Sequence, residues 1–361
     1  MNKYIFIILA LFFISCSNNN ILFDNSFLQK IKSNNSIIYI IHGDGDYLFH
    51  NEEGEELFAD EEILKQAKET AEKSYDSEVF IFHFKKKSHS FLFFPDKNAE
   101  LYFYKKGNLI LEENYFRDLS EATFKKESDL VKEYSSLNNE NINQQKKVLL
   151  YYGHEIPEFN GESYNSSYPE KEFTINEFAN GTSLLASSYK KNKFSLIVLS
   201  TCGNGTPGVI SKLKDYSDFI IASPENLHLS YINSDFISEI NNYKNMGDFS
   251  LKFAENAFEK LKENTNTIIT ISLYDTKEVS SFLNQVYNDY DEVLNTIKNS
   301  PNYYEAELCD CNSNSIPDNA DLNSGVNIFY QPPKFGKEKN KLFHSGWECW
   351  KFDKNMSINF R

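Results

Sequence analysis

The chain lacks any basic excess. Its 37 Lys and Arg stand against 52 Asp and Glu, giving a formal net charge of −15 over 361 residues. No basic stripe interrupts that balance, so a surface built to neutralise nucleic-acid phosphates is excluded. Cysteine is scarce, with five in all: Cys16, Cys202, Cys309, Cys311 and Cys349. Internal repeats are absent. Long apolar runs are absent too, except Tyr4 to Phe13, which is too short to span a bilayer as a stable anchor. The length suits one large α/β domain with additions, or two domains.

That one apolar run has a meaning of its own. Lys3 gives it a positive start, and Ile14, Ser15 and Cys16 end it, which is the order of a signal peptide. A small residue directly before cysteine resembles a bacterial lipoprotein signal, with Phe13 where leucine is usual. Cleavage before Cys16 and acylation of it would anchor the chain stably. The plainer alternative is a secretory signal in which Cys16 is incidental. The Asn- and Ser-rich stretch that follows reads as a tether. The division is therefore 1–15 signal peptide, 16–36 tether, 37–300 core domain and 301–361 C-terminal extension. The expected location is the cell envelope, lipid-anchored to a bacterial membrane on its periplasmic or surface side. Export permits disulfides: Cys349 could pair with Cys309 or Cys311, and the odd count of cysteines points to a free thiol, for which Cys202 is the natural candidate.

Within the core, apolar runs alternate with helical patterns. Strands are expected at Ser36 to Ile41, Glu78 to Phe84, Gln144 to Tyr152, Phe194 to Ser200, Asp218 to Ser223 and Thr267 to Leu273. Helices are expected at Glu61 to Lys73, Ala122 to Tyr134, Thr174 to Ser188, Phe249 to Glu263 and Val279 to Ile297. Thr174 followed by Glu177 is a capping box. Ser90 to Glu113 reads as a hairpin, and Val326 to Tyr330 as a late strand in an otherwise loop-like extension. The alternation implies a three-layer α/β sandwich with a mostly parallel central sheet.

The chemistry is expected at two strand ends. Phe194-Ser-Leu-Ile-Val-Leu-Ser-Thr-Cys202 is an unbroken apolar run closed by a cysteine and glycines, and Lys147-Val-Leu-Leu-Tyr-Tyr-Gly-His154 is another closed by a histidine. Unbroken apolar runs are strands covered on both faces, and open α/β sheets place ligands at the carboxyl ends of such strands. A thiol there needs a nearby imidazole to become a nucleophile. Backbone N–H groups near Glu155 and Gly203 are candidates to hold an oxyanion. His42-Gly-Asp-Gly-Asp46 reads as a strand-end turn bordering the same crevice, without the spacing of a phosphate loop. His50, His83, His89, His228 and His344 read as surface or satisfied polar residues. Asp275 reads as a helix cap.

A separate signal lies in the extension. Asp310, Asn312, Asn314, Asp318 and Asp321 fall at the side-chain positions of a calcium loop, with the carbonyl of Ile316 between them. Ser315 replaces the usual turn glycine, and Asp321 the usual bidentate glutamate. The stretch resembles the calcium repeats of dockerins and thrombospondins and implies a structural Ca²⁺. An Asn/Ser-rich turn is the other reading.

Taken together, Gly153-His154-Glu155, Ser200-Thr201-Cys202-Gly203, Tyr216 to Glu225 and Thr270 to Asp275 resemble, in order, the motifs of clostripain-like cysteine peptidases, relatives of caspases, gingipains and legumains. The resemblance covers roughly residues 37–290 and perhaps the strand near residue 328. It implies a caspase-like sheet with a β-hairpin addition and a loop-rich C-terminal extension. It implies Cys202 as nucleophile, His154 as its base, a protein or peptide substrate, an acyl-enzyme route and no metal in the chemistry. It places Ser200, Ser223 and Glu225 at the substrate pocket. Glu155 stands where the family has glycine. Ser200 stands where it has an acid that helps select Arg or Lys. Some relatives are cut in an internal loop, and here Lys171 and Lys190 to Lys193 lie between His154 and Cys202. The alternative is a chain that keeps this fold without activity, as a surface binding protein.

Overall fold

Asn-Ser-Ile-Ile-Tyr-Ile-Ile-His, residues Asn35–His42, forms β1 and is buried along its whole length. A strand apolar on both faces has to lie inside a sheet with a layer on either side. The computed structural model describes residues 33–42, 48–50, 56–85, 97–118, 123–136, 145–158, 173–189, 192–227, 230–288, 324–342 and 344–347. In it, β1 is flanked by β4 (Ser77–Phe84) and β7 (Lys146–Tyr152), parallel to both. Beyond β7 come β8 (Phe194–Ser200) and β9 (Ser217–Ala222), again parallel.

Antiparallel pairs close both sides of this core. On one side β5 (Ala99–Lys105) and β6 (Asn108–Tyr115) form the expected hairpin on β4. On the other, β10 (Ile269–Asp275) runs antiparallel to β9, and β11 (Val326–Gln331) antiparallel to β10. The nine strands lie in the order β11-β10-β9-β8-β7-β1-β4-β5-β6. Two short strands, β2 (Leu48–His50) and β3 (Glu56–Phe58), pair apart from it.

Side chains alternate between two apolar layers. Ile38, Ile40, Leu149, Tyr151, Ile197 and Leu199 face one layer. It is closed by α2 (Lys125–Tyr134), α3 (Ile175–Ser187), α4 (Pro207–Leu213) and α6 (Ser280–Asn288). Ile37, Tyr39, Ile41, Leu150, Tyr152 and Val198 face the other. There α1 (Ala59–Lys73), α5 (Met246–Asn264) and a 3-10 helix, Asp235–Asn242, cover them. α1 presents Ile63, Ala67 and Ala71 at helical spacing, small enough for close approach to the sheet. α3 begins as its sequence dictates, with Thr174 and Glu177 making the reciprocal capping box.

The stretch beyond residue 300 was expected to be a loop-rich extension with one short strand. Its described part is built into the core domain. β11 joins the edge of the main sheet, and Trp347 is fully buried between β10 and α6, its ring 4.5 Å from Tyr274 and 5.0 Å from Phe282. The physical reason is hydrophobic: the outer strands leave an apolar face that α6 alone does not cover. The expected signal peptide and most of the expected tether, Cys16, Lys171, Lys190, Lys191, and the stretch from Asp310 to Asp321 with Cys309, Cys311 and Cys349 lie outside the described residues.

Candidate active site

β7 and β8 are adjacent and parallel, and their last paired residues are Tyr152 and Ser200. Two residues beyond each stand His154 and Cys202, so the histidine and the cysteine leave the sheet side by side. Both are half-buried. Gly203 then turns with φ 55°, a left-handed conformation that releases the chain from β8 just after the thiol.

The thiol is held by Asn226 and Leu227, just past the Ser223 to Glu225 stretch. Cys202 Sγ donates to Asn226 Oδ1 at 3.1 Å, and the Leu227 N–H donates to Sγ at 3.4 Å. This loop follows β9, the parallel neighbour of β8, and hooks back onto the glycines after Cys202. The Gly205 N–H donates to the Ser223 carbonyl at 3.0 Å. The Gly203 N–H, expected to face an oxyanion, donates instead to the Glu225 carbonyl at 3.2 Å. Glu155 is half-buried beside His154.

The three expected pocket residues fall on two sides of the site. Ser200 lines a small pocket together with His154, Gly153, Tyr152, His42, Asp60, Ile63, Ser230 and Tyr231. Its hydroxyl accepts the Ile232 N–H at 2.8 Å, while Tyr152 OH donates to the Ile232 carbonyl at 3.0 Å. The register partners Tyr152 and Ser200 thus grip one peptide and hold Ser230 and Tyr231 over the pocket. Ser223 and Glu225 stand on the Cys202 side, where their carbonyls accept the Gly205 and Gly203 N–H groups. The Ser223 hydroxyl is turned into its own loop, donating to the Glu225 carbonyl at 2.7 Å. The Glu225 carboxylate takes His344 Nε2 at 3.1 Å. His344 Nδ1 accepts from Gly346 N–H at 2.9 Å, so Nε2 carries the proton. His344 is therefore a buried strap residue rather than a surface one.

His42 closes the end of β1 in the pocket wall, its ring edge-on to Phe84 at 4.7 Å and to Tyr151 at 5.3 Å. Burial, with the positive charge of Arg117 and the neighbouring His154 and His83, holds it well below the ordinary imidazole range. It is neutral at pH 7. The next five residues of that turn lie outside the described set.

Behind His42, His83 is clamped between two carboxylates: Nε2 is 2.9 Å from Asp60 and Nδ1 is 3.4 Å from Glu100. Burial works against its charge, but the bonds to Asp60 and Glu100 outweigh it and raise the His83 pKa above 6.5. Glu100 is pulled down to about 2, first by His83 and against burial, with Lys85 and Tyr102 adding to it. The folded chain binds the His83 proton more tightly than the unfolded one. That contribution is complete below pH 6.5 and is lost as pH rises through the elevated folded pKa. His83→Gln is expected to flatten this fall in stability. Urea unfolding across neutral to mildly alkaline pH measures it, and equal slopes for variant and wild type would contradict it.

Among the described residues, no group of three or more His, Cys, Asp or Glu side chains is arranged to hold a metal ion. What the described site offers is a thiol and an imidazole just beyond the ends of two adjacent parallel strands, with a small pocket on the imidazole side.

This architecture is the caspase-like α/β fold of C11, or clostripain-like, cysteine proteases. The solved structure of a secreted C11 cysteine protease from Bacteroides thetaiotaomicron, "iotapain", matches with a TM-score of 0.50 and 13% identity, over 73% of this chain and 72% of that one. A second structure of a secreted C11 cysteine protease from the same organism, in complex with an irreversible peptide inhibitor, matches with a TM-score of 0.50 and 14% identity, over 73% and 70%. No family model matches the sequence, and no curated protein does.

Proposed function

We propose that the chain is a cysteine endopeptidase in which Cys202 attacks the peptide carbonyl and His154 takes the thiol proton and returns it to the leaving amine. The observation that carries this reading is the register: His154 and Cys202 each stand two residues beyond the last residue pair of two adjacent parallel strands. Strands so paired run roughly 4.8 Å apart, so the two side chains rise from neighbouring strand ends on one edge of the sheet. The attack would make a thioester and release the amine; water, deprotonated by the same imidazole, would then cleave the thioester. The shared fold supports peptide as the substrate class, since one protein of that fold was solved with a peptide inhibitor. No acid stands at Ser200, and its hydroxyl is engaged by Ile232, so this position gives no charge with which to select Arg or Lys.

The test is cleavage of a mixed peptide library by wild type, Cys202→Ala and His154→Ala. Cutting by wild type alone supports the dyad, and the residue before the cut identifies what the pocket accepts. A folded wild type that cuts nothing, with a Cys202 no more reactive than a simple thiol, favours the binding-protein alternative. The setting we propose is the bacterial cell envelope, from the leader Tyr4 to Phe13 and the cysteine after Ser15. Partition into the detergent phase is expected for the full chain and should be lost in Cys16→Ala. Partition unchanged by that substitution argues against the lipid.

A further inference from the structure

The geometry points to Asn204 as the positioning residue that keeps the His154 and Cys202 loops in register, a role that rests on the cysteine-peptidase reading above. Backbone pairing between β7 and β8 stops at Tyr152 and Ser200. If the same register is continued, Ile156 falls opposite Asn204 and Glu158 opposite Thr206. Both of these pairs are bonded, each at a sequence separation of 48. The ladder therefore does not end at the active site. It is carried past it by side chains.

The chemistry of the substitution is specific. Asn204 Oδ1 accepts the Ile156 N–H at 3.0 Å, and Asn204 Nδ2 donates to the Ile156 carbonyl at 3.0 Å. A side-chain amide here offers the acceptor and donor that a peptide unit offers a neighbouring strand. Thr201 Oγ1 donates to the same Oδ1 at 2.6 Å, which fixes the rotation of the amide. One step further, the Thr206 hydroxyl donates to the Glu158 carboxyl and accepts the Val209 N–H at 3.1 Å, capping α4. A Cβ on Gly208 would meet that carboxyl, which would have to shift. Asn204 is 1% exposed, and its loss strands an N–H and a carbonyl away from water.

The backbone has to part here. Gly203 turns away, and Pro157 and Pro207 have no N–H to give. A parted pair of loops would leave imidazole and thiol free to drift, and a misplacement of ~1 Å can cost about 10²-fold in rate. Asn204 joins the two residues that lie two positions beyond His154 and Cys202. It touches neither catalytic side chain and acts through the backbone that carries them.

The experiment follows alkylation of Cys202 by iodoacetamide as a function of pH, reading the Cys202 peptide by mass spectrometry. It compares wild type, His154→Ala, Asn204→Ala and Asn204→Asp in the full chain, with melting curves for each. Asn204→Ala is expected to move the alkylation profile toward that of His154→Ala. It should also lower kcat on a cleaved peptide about 10- to 100-fold, with a smaller change in KM. Asn204→Asp keeps the acceptor for Ile156 N–H and loses the donor, and is expected to move the profile in the same direction. Should the alanine variant fail to fold, the aspartate variant decides. A purely structural asparagine would lower the melting temperature and leave the profile of the folded variant where it was. If His154→Ala shifts the profile and the folded Asn204 variants do not, the positioning role is overturned while the dyad stands. If His154→Ala does not shift it, the dyad reading fails and the inference falls with it.

Discussion

Changing Cys202 to alanine is expected to lower kcat/KM for peptide cleavage by about 10⁴-fold or more, or ~5 kcal/mol of transition-state stabilisation. The variant removes the atom that forms the bond to the acyl carbon, and no other thiol is present among the described residues to replace it. His154→Ala is expected to cost about 10²- to 10⁴-fold, the usual worth of a positioned acid–base group. The double variant should be no worse than Cys202→Ala alone. Once the nucleophile is gone there is nothing for the imidazole to activate, and effects within one catalytic unit do not add. Additive losses would mean that the two residues act separately. Both residues are half-buried in loops, so urea midpoints should stay within about 0.5 kcal/mol of wild type. A large shift would show damage to the fold rather than to the chemistry.

The largest stability effect is expected at Trp347. Its ring is fully buried and packed on Tyr274 and Phe282. The residue before it anchors the segment, since the Gly346 carbonyl accepts Tyr274 OH at 2.6 Å and Ser272 Oγ at 2.9 Å. Trp347→Ala is expected to cost ~3–5 kcal/mol, the range for removing a large buried aromatic. Trp347→Phe, which keeps much of the contact, should cost less. The measurement is urea unfolding of both variants, and an alanine cost below ~1 kcal/mol would contradict the packing described. The effect should also reach Cys202. His344, two residues earlier than Gly346, holds the Glu225 carboxylate, and Glu225 precedes the Asn226 that receives the thiol. Freeing this strap would loosen the loop on the nucleophile.

The inner strands were legible because their side chains had to be apolar on both faces. Ile37 to Ile41, Val148 to Tyr152 and Leu196 to Leu199 are short runs of that kind, rich in β-branched and aromatic residues. The start of α3 was legible because Thr174 and Glu177 satisfy backbone groups three residues apart, a local requirement. His154 and Cys202 were legible as strand ends. The direction of β10 was not: apolar content says a strand is buried, and nothing in it says which way the strand runs beside its neighbour. The 3-10 helix Asp235–Asn242 is too short for its periodicity to stand out. Asn204, Asn226 and His344 were hidden for a different reason. Each acts through partners far away in sequence, and a polar residue in a loop looks the same whether it bonds to water or to a distant peptide. The assignments of Ser223 and Glu225 came from likeness of motif; the Ser223 bond to the Glu225 carbonyl is local, whereas the Glu225 bond to His344 is a long-range fact of the same kind.

The central strand has a consequence for synthesis. β1 is the earliest described strand, yet it lies in the middle of the sheet, with β4 on one flank and β7 on the other. Neither flank exists when residues 35–42 leave the ribosome, and the second is completed only when residue 152 has been made. Until then the nascent chain carries an Ile-rich strand with an open edge, the kind of template that draws unrelated chains into pairing. A sheet assembled from the middle outward ties the protein's solubility to the order of its manufacture, and a fragment ending before β7 inherits that open edge permanently.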